Sequence, residues 1–369
     1  MVMTHDNDGG ARVVFEVLGD GFQRRAIGTD RVFLYGTGHP GQGRRLVNGG
    51  LAAFARHSPL AFARLWRHFR RTRPCAVIAH LPVGNAFGLT AAWLAGVPRR
   101  IAVHHVDTAS YRSWSARLDR MAGQIGAYTR IVAVSKPVRD SMAKYPARYR
   151  RLIQAIDNGM PRRMPTDERA SLRRRFGISE NETVAISVGR LSAQKNQAVL
   201  IEALQGLDGV KLVLIGEGDL REQLERQAEA HGVSDRVVFT GRIDPGAVAD
   251  WLAAADVFVL PSLYEGLSLA LIEALHARLP IVVSDVPSNT GPFAARSGAP
   301  TYLAVPPADV PGWRAAVARV ATDSTLRRAL SHASARLSRE YDAERMIDAY
   351  LVEAGLKPSS PNHSNQVAA

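Results

Sequence analysis

Short apolar runs alternate with longer amphipathic stretches along most of the chain. The short runs predict buried strands, and the stretches whose apolar positions recur three and four residues apart predict helices. Strands are predicted at 31–35, 76–79, 100–103, 131–134, 183–188, 211–215, 236–239, 257–260 and 281–283. Helices are predicted at 196–205, 220–231, 247–255 and 267–277. This alternation is typical of α/β proteins, in which helices cover both faces of parallel sheets.

The beginning of the chain predicts a short strand over 1–5, followed by Gly9, Gly10 and a helix that starts near Ala11. Strands usually run five or six residues. We therefore expect either that the natural start lies slightly upstream or that this strand is simply short.

The length of the chain and a break in the strand–helix pattern predict two domains. A chain of 369 residues exceeds the usual size of one domain. Two prolines within 161–167 interrupt the strand–helix pattern, and the charge balance changes at the same place. We expect a first domain over 1–160, a linker over 161–182 and a second domain over 183–340. Residues 357–369 are rich in Pro, Ser and Asn and predict a disordered tail.

The composition indicates a globular protein of a reducing compartment. Apolar residues make up 46% and charged residues 22% of the chain, which excludes a fibrous or wholly disordered protein. The single cysteine, Cys75, cannot form an intramolecular disulfide. No apolar run is long enough to span a bilayer, and the first ten residues hold Asp6 and Asp8 instead of a signal-peptide core. We expect a cytoplasmic protein.

The charge is divided unevenly along the chain. Residues 1–180 hold 30 Lys and Arg against 12 Asp and Glu, whereas residues 181–369 hold 17 against 22. A basic half fits nucleic acid, an anionic membrane surface or a phosphorylated substrate. Only five of the cations are Lys, so the Arg bias of a GC-rich genome is an equally good explanation of the excess charge. We expect no nucleic-acid partner, because no helix-turn-helix, zinc or RNA-binding signature accompanies the charge.

One stretch of the basic half has the pattern of an amphipathic helix. Phe62, Leu65, Trp66 and Phe69 share one helical face. The polar positions around them hold Arg64, Arg67, Arg70 and Arg71. Such a helix lies on an anionic membrane or packs its apolar face against the sheet, and both interpretations remain open.

A candidate phosphate site follows the strand predicted at 183–188. That strand ends in Gly189 and Arg190, and Lys195 lies just before the next helix. Ligands of open α/β sheets bind at the carboxyl ends of strands. Two cations beside the free N–H groups of a helix N-terminus form a site for a diphosphate. The alternative is that both are solvated loop cations.

A second candidate site follows the strand predicted at 257–260. Glu265 precedes a helix, where the helix dipole favours a carboxylate, and Glu273 lies within the apolar run of that helix. Burial of an unpaired carboxylate is costly, whereas the vicinal hydroxyls of a sugar or ribose would satisfy both groups. The alternative is a capping Glu265 and a Glu273 at the helix rim.

Gly216 and Gly218 match only two glycines of a dinucleotide fingerprint, so we do not predict a dehydrogenase.

Four motifs in this order resemble the retaining family 4 glycosyltransferases of the GT-B fold, also called glycosyltransferase group 1. The motifs are Gly189-Arg190 with Lys195, Gly216-Glu217-Gly218, Phe239-Thr240-Gly241, and Glu265 with Glu273. The resemblance implies two Rossmann-like parallel-sheet domains that face each other across a cleft, the first for the acceptor and the second for a nucleotide sugar. It also implies that residues 341–356 form a helix that crosses back to the first domain.

The resemblance assigns roles to the motif residues. Arg190 and Lys195 would hold the donor diphosphate, Glu273 would hydrogen-bond the ribose, and Glu265 would contact the transferred sugar. The loop at Gly266 and Leu267 would offer backbone N–H groups, and Gly189, Gly216 and Gly241 would line the donor site. In the first domain, Gly9 and Gly10 would let the first loop approach the ligand closely. His105 would lie near the reacting sugar, although a hydrogen-bonded core histidine is an equally good interpretation.

The implied function is retaining hexosyl or glycosyl transfer from a nucleoside-diphosphate sugar to a hydroxyl of a glycan or lipid-linked acceptor. Such an enzyme would serve polysaccharide, lipopolysaccharide or glycolipid synthesis, in the cytoplasm or peripherally on the cytoplasmic face of the inner membrane. We expect neither a cofactor besides the donor nor a metal, because the sequence shows no metal-binding cluster. The alternatives are a GT-B nucleotide-sugar epimerase and a non-catalytic basic binding protein.

Overall fold

A computed structural model describes residues 1–6, 9–38, 40–294 and 301–358. The chain divides into two compact units. The first unit contains Met1–Pro161 and the residues from Ala343 onward, and the second contains Arg162–Asp342. Most of the tail predicted at 357–369 lies outside the described residues.

The first unit is built on a seven-stranded parallel sheet with the order β3-β2-β1-β4-β5-β6-β7. Its strands are Val2–His5 (β1), Val32–Gly36 (β2), Arg44–Asn48 (β3), Ala76–His80 (β4), Arg99–His104 (β5), Arg130–Ala133 (β6) and Ile153–Ala155 (β7). Its first six helices are Gly10–Arg24 (α1), Leu51–Thr72 (α2), Pro82–Leu94 (α3), Ser113–Gln124 (α4), Lys136–Ser141 (α5) and Ala147–Arg150 (α6). The strand order reverses direction between β1 and β4, so the loops after these two strands meet at one sheet edge.

The second unit is built on a six-stranded parallel sheet with the order β10-β9-β8-β11-β12-β13. Its strands are Thr183–Val188 (β8), Val210–Ile215 (β9), Val237–Gly241 (β10), Val257–Leu260 (β11), Ile281–Ser284 (β12) and Leu303–Val305 (β13). Its helices are Arg169–Arg175 (α7), Ala198–Leu204 (α8), Arg221–Ala230 (α9), Ala247–Ala254 (α10), Leu269–His276 (α11), Pro287–Ala294 (α12), Val310–Thr322 (α13) and Ser324–Leu337 (α14). Here the strand order reverses between β8 and β11.

The final helix, Ala343–Glu353 (α15), returns to the first unit as predicted. Its first N–H group, that of Ala343, donates to the carbonyl of Met160 at 3.2 Å. The buried Arg25, which directly follows α1, forms ion pairs with Glu344 at 2.7 Å and Asp348 at 2.6 Å. These contacts hold α15 against α1. The two Rossmann-like parallel-sheet units and the returning helix confirm the predicted fold class.

All ten predicted strands, including the one at 1–5, are present within two residues of their predicted limits, and the described residues form three further strands that are not predicted. The three are β3, β7 and β13, and each lies at the edge of its sheet. An edge strand is paired on one side only and is often blunted by charges. The β3 sequence Arg44–Asn48 therefore lacks the continuous apolar run that identifies a central strand.

Two segments differ from their predicted structure. The helix predicted at 196–205 is a 3₁₀ turn over Ala193–Lys195 followed by α8, because Asn196 adopts a left-handed backbone with φ of 53°. The segment 161–182, predicted as a linker, contains α7, which packs against α10 within the second unit. In α2, Leu65 and Phe69 are buried in the core, so the packing interpretation holds for these two side chains.

Candidate functional site

In the second unit, the loops after β8 and β11 are tied to each other at the point where the strand order reverses. The N–H group of Leu263 donates to the carbonyl of Gln194 at 2.9 Å. The side-chain amide of Gln194 donates in return to the carbonyl of Tyr264 at 2.9 Å. Ligands of open α/β sheets bind at such a reversal. We therefore take these two loops as the candidate donor site.

An ion pair joins the two loops. Lys195 Nζ lies 2.6 Å from Glu265 Oε1, and the two side chains are 17% and 9% exposed. The N–H group of Glu265 also donates to Ser288 Oγ at 3.0 Å. An ammonium carries three N–H donors, and this ion pair uses one of them. The pair can therefore present N–H donors and carboxylate lone pairs to one ligand.

The residues that follow Lys195 hold its loop in place. Asn196 Nδ2 donates to the carbonyls of Pro261 at 3.2 Å and Pro307 at 2.9 Å. Gln197 Nε2 donates to the carbonyl of Arg190 at 3.0 Å. The side chain of Arg190 itself is exposed. The predicted site residues Lys195 and Glu265 are thus in contact, and Arg190 is an exposed residue of the same loop.

Glycines allow the loops after β8, β9 and β10 to pack closely. Gly189, Gly216 and Gly241 follow these neighbouring strands, and the N–H group of Gly216 donates to the carbonyl of Gly241 at 3.0 Å. Gly216 has φ of 136°, and a Cβ added there would overlap the carbonyl oxygen of Gly189. A Cβ on Gly218 would likewise overlap the carbonyl oxygen of Leu191. The motif glycines are thus required by the packing of this unit itself.

Glu273 lies on α11 among buried apolar residues. The structure gives its carboxylate no hydrogen-bond partner among the described residues. Burial raises the pKa of Glu273 to about 7, and the nearby Arg163 partly opposes this increase. A carboxylate is a strong acceptor for hydroxyl donors. A ligand hydroxyl at this position would therefore favour the ionised form of Glu273.

The segment before α11 places Gly266, Leu267 and Ser268 in buried positions. Ser268 precedes the helix, and its buried hydroxyl has no hydrogen-bond partner among the described residues. The same is true of the Ser262 hydroxyl at the end of β11. Both hydroxyls are additional polar groups that the motif analysis did not single out. Ser and Thr are common at loop and cap positions of any protein, so their sequence carried no specific signal.

In the first unit, the predicted residues follow β1 and β5. Gly9 and Gly10 are exposed at the N-terminus of α1, and a Cβ on Gly9 would meet no atom of the chain within 4 Å. The chain itself therefore does not require glycine at position 9, and the approach of a ligand there stays a prediction. His105 is buried, and its Nε2 lies 2.9 Å from Nδ1 of the fully buried His80.

The two histidines form a neutral, stacked pair. Burial and the nearby His104 lower the pKa of His105 to about 3, and burial together with His105 lowers the pKa of His80. The ring centroids are 5.1 Å apart. His105, which follows β5, is thus a hydrogen-bonded imidazole, as the core interpretation predicts, and its place near the reacting sugar stays a prediction. His80 is a partner that the sequence analysis did not single out, because its contact with His105 depends on the pairing of β4 with β5.

Asp6 is a second residue that the sequence analysis did not place at a site. It is buried after β1, and Arg45 Nε donates to its Oδ2 at 2.8 Å. The carboxylate occupies the space that a Cβ on Gly36 would need. Arg45 lies on the unpredicted edge strand β3, so this pairing follows from the sheet order and not from a local motif.

Among the residues that the structure describes, no three His, Cys, Asp or Glu side chains come together as metal ligands would. The expectation of a metal-independent reaction stays a prediction. Within the same described part of the chain, every helix is too short or too polar to cross a bilayer.

Comparison with known families assigns both units. Residues 168–337 match the model of the glycosyl transferases group 1, and residues 8–161 match the model of glycosyltransferase family 4. Together the two matched segments contain every site residue that the sequence predicts.

Curated relatives are similar over different shares of their length. The alpha-D-kanosaminyltransferase of Streptomyces kanamyceticus is 28% identical over 309 residues, which cover 78% of this chain and 79% of that protein. The lipopolysaccharide core biosynthesis glycosyltransferase LpsD of Rhizobium meliloti is 31% identical over 239 residues, 64% of this chain and 67% of LpsD. An uncharacterized glycosyltransferase of Methanocaldococcus jannaschii is 31% identical, but the match covers only 42% of each protein.

A solved structure supports the fold. The crystal structure of HepE from Anabaena, in complex with UDP and glucose, superimposes with a TM-score of 0.78 at 17% identity. The superposition covers 96% of this chain and 99% of HepE.

Proposed function

This chain belongs to the glycosyl transferases group 1 family, and from that premise we propose that it moves a sugar from a nucleoside-diphosphate sugar to an acceptor hydroxyl with retention of configuration. The single observation that carries the proposal is the Lys195–Glu265 ion pair, 2.6 Å long, at the reversal of strand order in the second unit. The second unit binds the donor, and the first unit binds a glycan or lipid-linked acceptor.

The proposed chemistry places charge on the leaving group. The bond between the anomeric carbon and the diphosphate oxygen breaks, the electron pair leaves with the diphosphate, and the acceptor oxygen bonds to the anomeric carbon and loses its proton. Lys195 and Arg190 stabilise the diphosphate as its charge increases, which is where preorganised cations lower a barrier most. Glu265 contacts the transferred sugar, whose ring becomes positive, and Glu273 accepts hydrogen bonds from the ribose.

The proposed setting is polysaccharide, lipopolysaccharide or glycolipid synthesis. LpsD acts in lipopolysaccharide core biosynthesis, and a lipid-linked acceptor of that kind lies at a membrane. We place the enzyme in the cytoplasm, bound peripherally to the cytoplasmic face of the membrane. The strongly basic first half, with 30 Lys and Arg against 12 Asp and Glu, supports this location.

The reaction class is tested by the release of nucleoside diphosphate from UDP-, GDP- and ADP-sugars, with and without candidate glycan acceptors. The proposal predicts release that depends on an acceptor, and a product whose anomeric configuration by NMR equals that of the donor. Conversion of the donor sugar without an acceptor would identify an epimerase instead. Salt-sensitive binding that survives Lys195→Ala, without turnover of any donor, would identify a basic binding protein.

A further inference from the structure

An apolar groove lies on the helical face of the first unit. Helix α3 forms its floor with Val83, Ala86 and Phe87, and helices α2 and α4 form its walls. The groove encloses about 470 Å³. Phe87 packs edge-to-face against Phe54 and Phe62 of α2, with ring centroids 5.0 and 5.2 Å apart. The groove is thus lined by aromatic and aliphatic side chains and is open to solvent.

One wall carries an unpartnered apolar stripe. Trp114, Leu118, Met121 and Ile125 recur at helical spacing along α4 and its end, and they are 40%, 47%, 58% and 54% exposed. The opposite face of α4 is anchored in the core by Asp119. Tyr128 donates to Asp119 Oδ1 at 3.0 Å, and Tyr149 donates to Oδ2 at 2.5 Å. The exposed stripe is therefore not needed to hold α4 in place.

The surroundings of the groove are positively charged. Between Asp30 and Asp107 the chain has 11 Arg and no Asp, Glu or Lys. Arg56 and Arg70 are exposed on α2, and Arg117 is exposed on α4 beside the apolar stripe. On the other side of α2, Arg44, Arg45, Arg64, Arg67 and Arg71 line a second hollow of about 500 Å³. An apolar groove on helices that also expose arginines matches the boundary between lipid chains and anionic headgroups.

We propose that this groove inserts into an anionic membrane and takes up lipid acyl chains, while exposed arginines of α2 and α4 contact lipid phosphates. The inference rests on the proposed location at a membrane, but not on the donor or on the reaction. A second copy of this chain fits the groove less well, because two copies of a segment that holds 11 Arg and no Asp or Glu between Asp30 and Asp107 would repel each other. Of the aromatic face predicted at Phe62–Phe69, Phe62 lines the groove, whereas Leu65 and Phe69 are buried and take no part in docking.

The test is sedimentation of the full chain with vesicles of phosphatidylcholine mixed with phosphatidylglycerol, and with vesicles of phosphatidylcholine alone. The wild type should bind the anionic vesicles at low salt and lose binding as salt rises. Met121→Glu and Leu118→Glu should each weaken that binding at least about tenfold, because a carboxylate in the acyl region is costly. Arg56→Ser with Arg117→Ser should weaken binding and reduce its salt dependence.

Val352→Glu is the matched control, because Val352 is 58% exposed, like Met121, but lies on α15. It should bind vesicles as the wild type does. Thermal unfolding of each variant establishes that the fold is intact. The proposal is overturned if Met121→Glu binds as tightly as the wild type, or if binding to neutral and anionic vesicles is equal. It is also overturned if the wild type does not bind vesicles and forms a dimer that Met121→Glu dissociates. A second copy of the chain would then occupy the groove.

Discussion

At the scale of single residues, the structure joins two groups to which the sequence assigned separate roles. Lys195 was expected at the diphosphate and Glu265 at the sugar, yet their charged atoms lie 2.6 Å apart. A diphosphate that draws the ammonium toward itself would change the charge around Glu265. The two residues should therefore act as one unit, and their effects on turnover should not be additive.

The ion pair predicts a specific pattern of kinetic losses. Lys195→Ala should lower kcat about 100-fold or more, because one contact to developing charge contributes about 2.7–4 kcal/mol. Glu265→Gln should lower kcat with little change in nucleoside diphosphate affinity. The double variant should lose less than the product of the two single losses. Lys211→Ala is the control, since Lys211 on β9 is also partly buried and lies 3.8 Å from a carboxylate oxygen, that of Glu182, and its loss should leave turnover intact.

Independent losses in the double variant would show that Lys195 and Glu265 act separately. Wild-type turnover in Lys195→Ala would remove the diphosphate role from this residue.

Glu273 predicts a pH dependence of stability. Its pKa is about 7 in the folded chain, raised by burial from 4.5. Between these two values the unfolded chain loses its proton while the folded chain keeps it, so the free energy of unfolding decreases as pH rises from about 4.5 to 7. The decrease should be at most about 3 kcal/mol. Urea unfolding of the wild type and of Glu273→Gln across this range measures it, and equal slopes would contradict the pKa shift.

Glu273 also predicts proton release on ligand binding. Ribose hydroxyls donate more strongly to the ionised carboxylate than to the protonated one, so nucleoside diphosphate binding near pH 6.5 should release protons from Glu273. Glu273→Gln should abolish this release and weaken binding about 10- to 100-fold, as expected for a hydrogen bond to a charged group. Calorimetry in two buffers with different ionisation enthalpies measures both quantities. If Glu265→Gln loses affinity while Glu273→Gln keeps it, the two roles are reversed.

At the scale of elements, the close packing of the loops after β8 and β9 predicts intolerance of a single methyl group. Gly218→Ala would overlap the carbonyl of Leu191, and overpacking of this kind costs about 1–3 kcal/mol. Gly28→Ala is the control, because a Cβ there meets nothing within 4 Å and should change stability by less than about 1 kcal/mol. Thermal unfolding compares the melting temperatures of the two variants. Equal melting temperatures would show that the two loops can move apart without loss of stability.

The way in which each element is stabilised decides whether the sequence predicts it. Central strands such as Thr183–Val188 are buried on both faces, so their apolar runs identify them. The edge strand Arg44–Asn48 is half exposed and depends on its partner Val32–Gly36. The motif around Lys195 could be located because its residues are close in sequence. The contacts of His105 with His80 and of Asp6 with Arg45 depend on strand order, which no local pattern specifies.

At the scale of the whole molecule, the chain depends on α15 to complete its first unit. Arg25 is 1% exposed and pairs with Glu344 and Asp348. Replacing both carboxylates, as Glu344→Gln with Asp348→Asn, leaves a buried guanidinium unpaired and should destabilise the first unit by about 2 kcal/mol or more. Glu353→Gln breaks a pair with Arg130, which is 40% exposed, and should cost less than about 1 kcal/mol. Urea unfolding measures the free energy of unfolding of both variants. An equal decrease in the two would contradict the importance of the Arg25 ion pairs.

The proposed function depends on donor binding by the second unit. The most direct measurement is the calorimetric affinity of the wild type and of Lys195→Ala for UDP, GDP and ADP. The wild type should bind one of the three nucleotides with clearly higher affinity than the other two. Lys195→Ala should weaken this binding at least about tenfold. Binding of none of the three nucleotides, or equal affinity in the wild type and in Lys195→Ala, would contradict the proposed function.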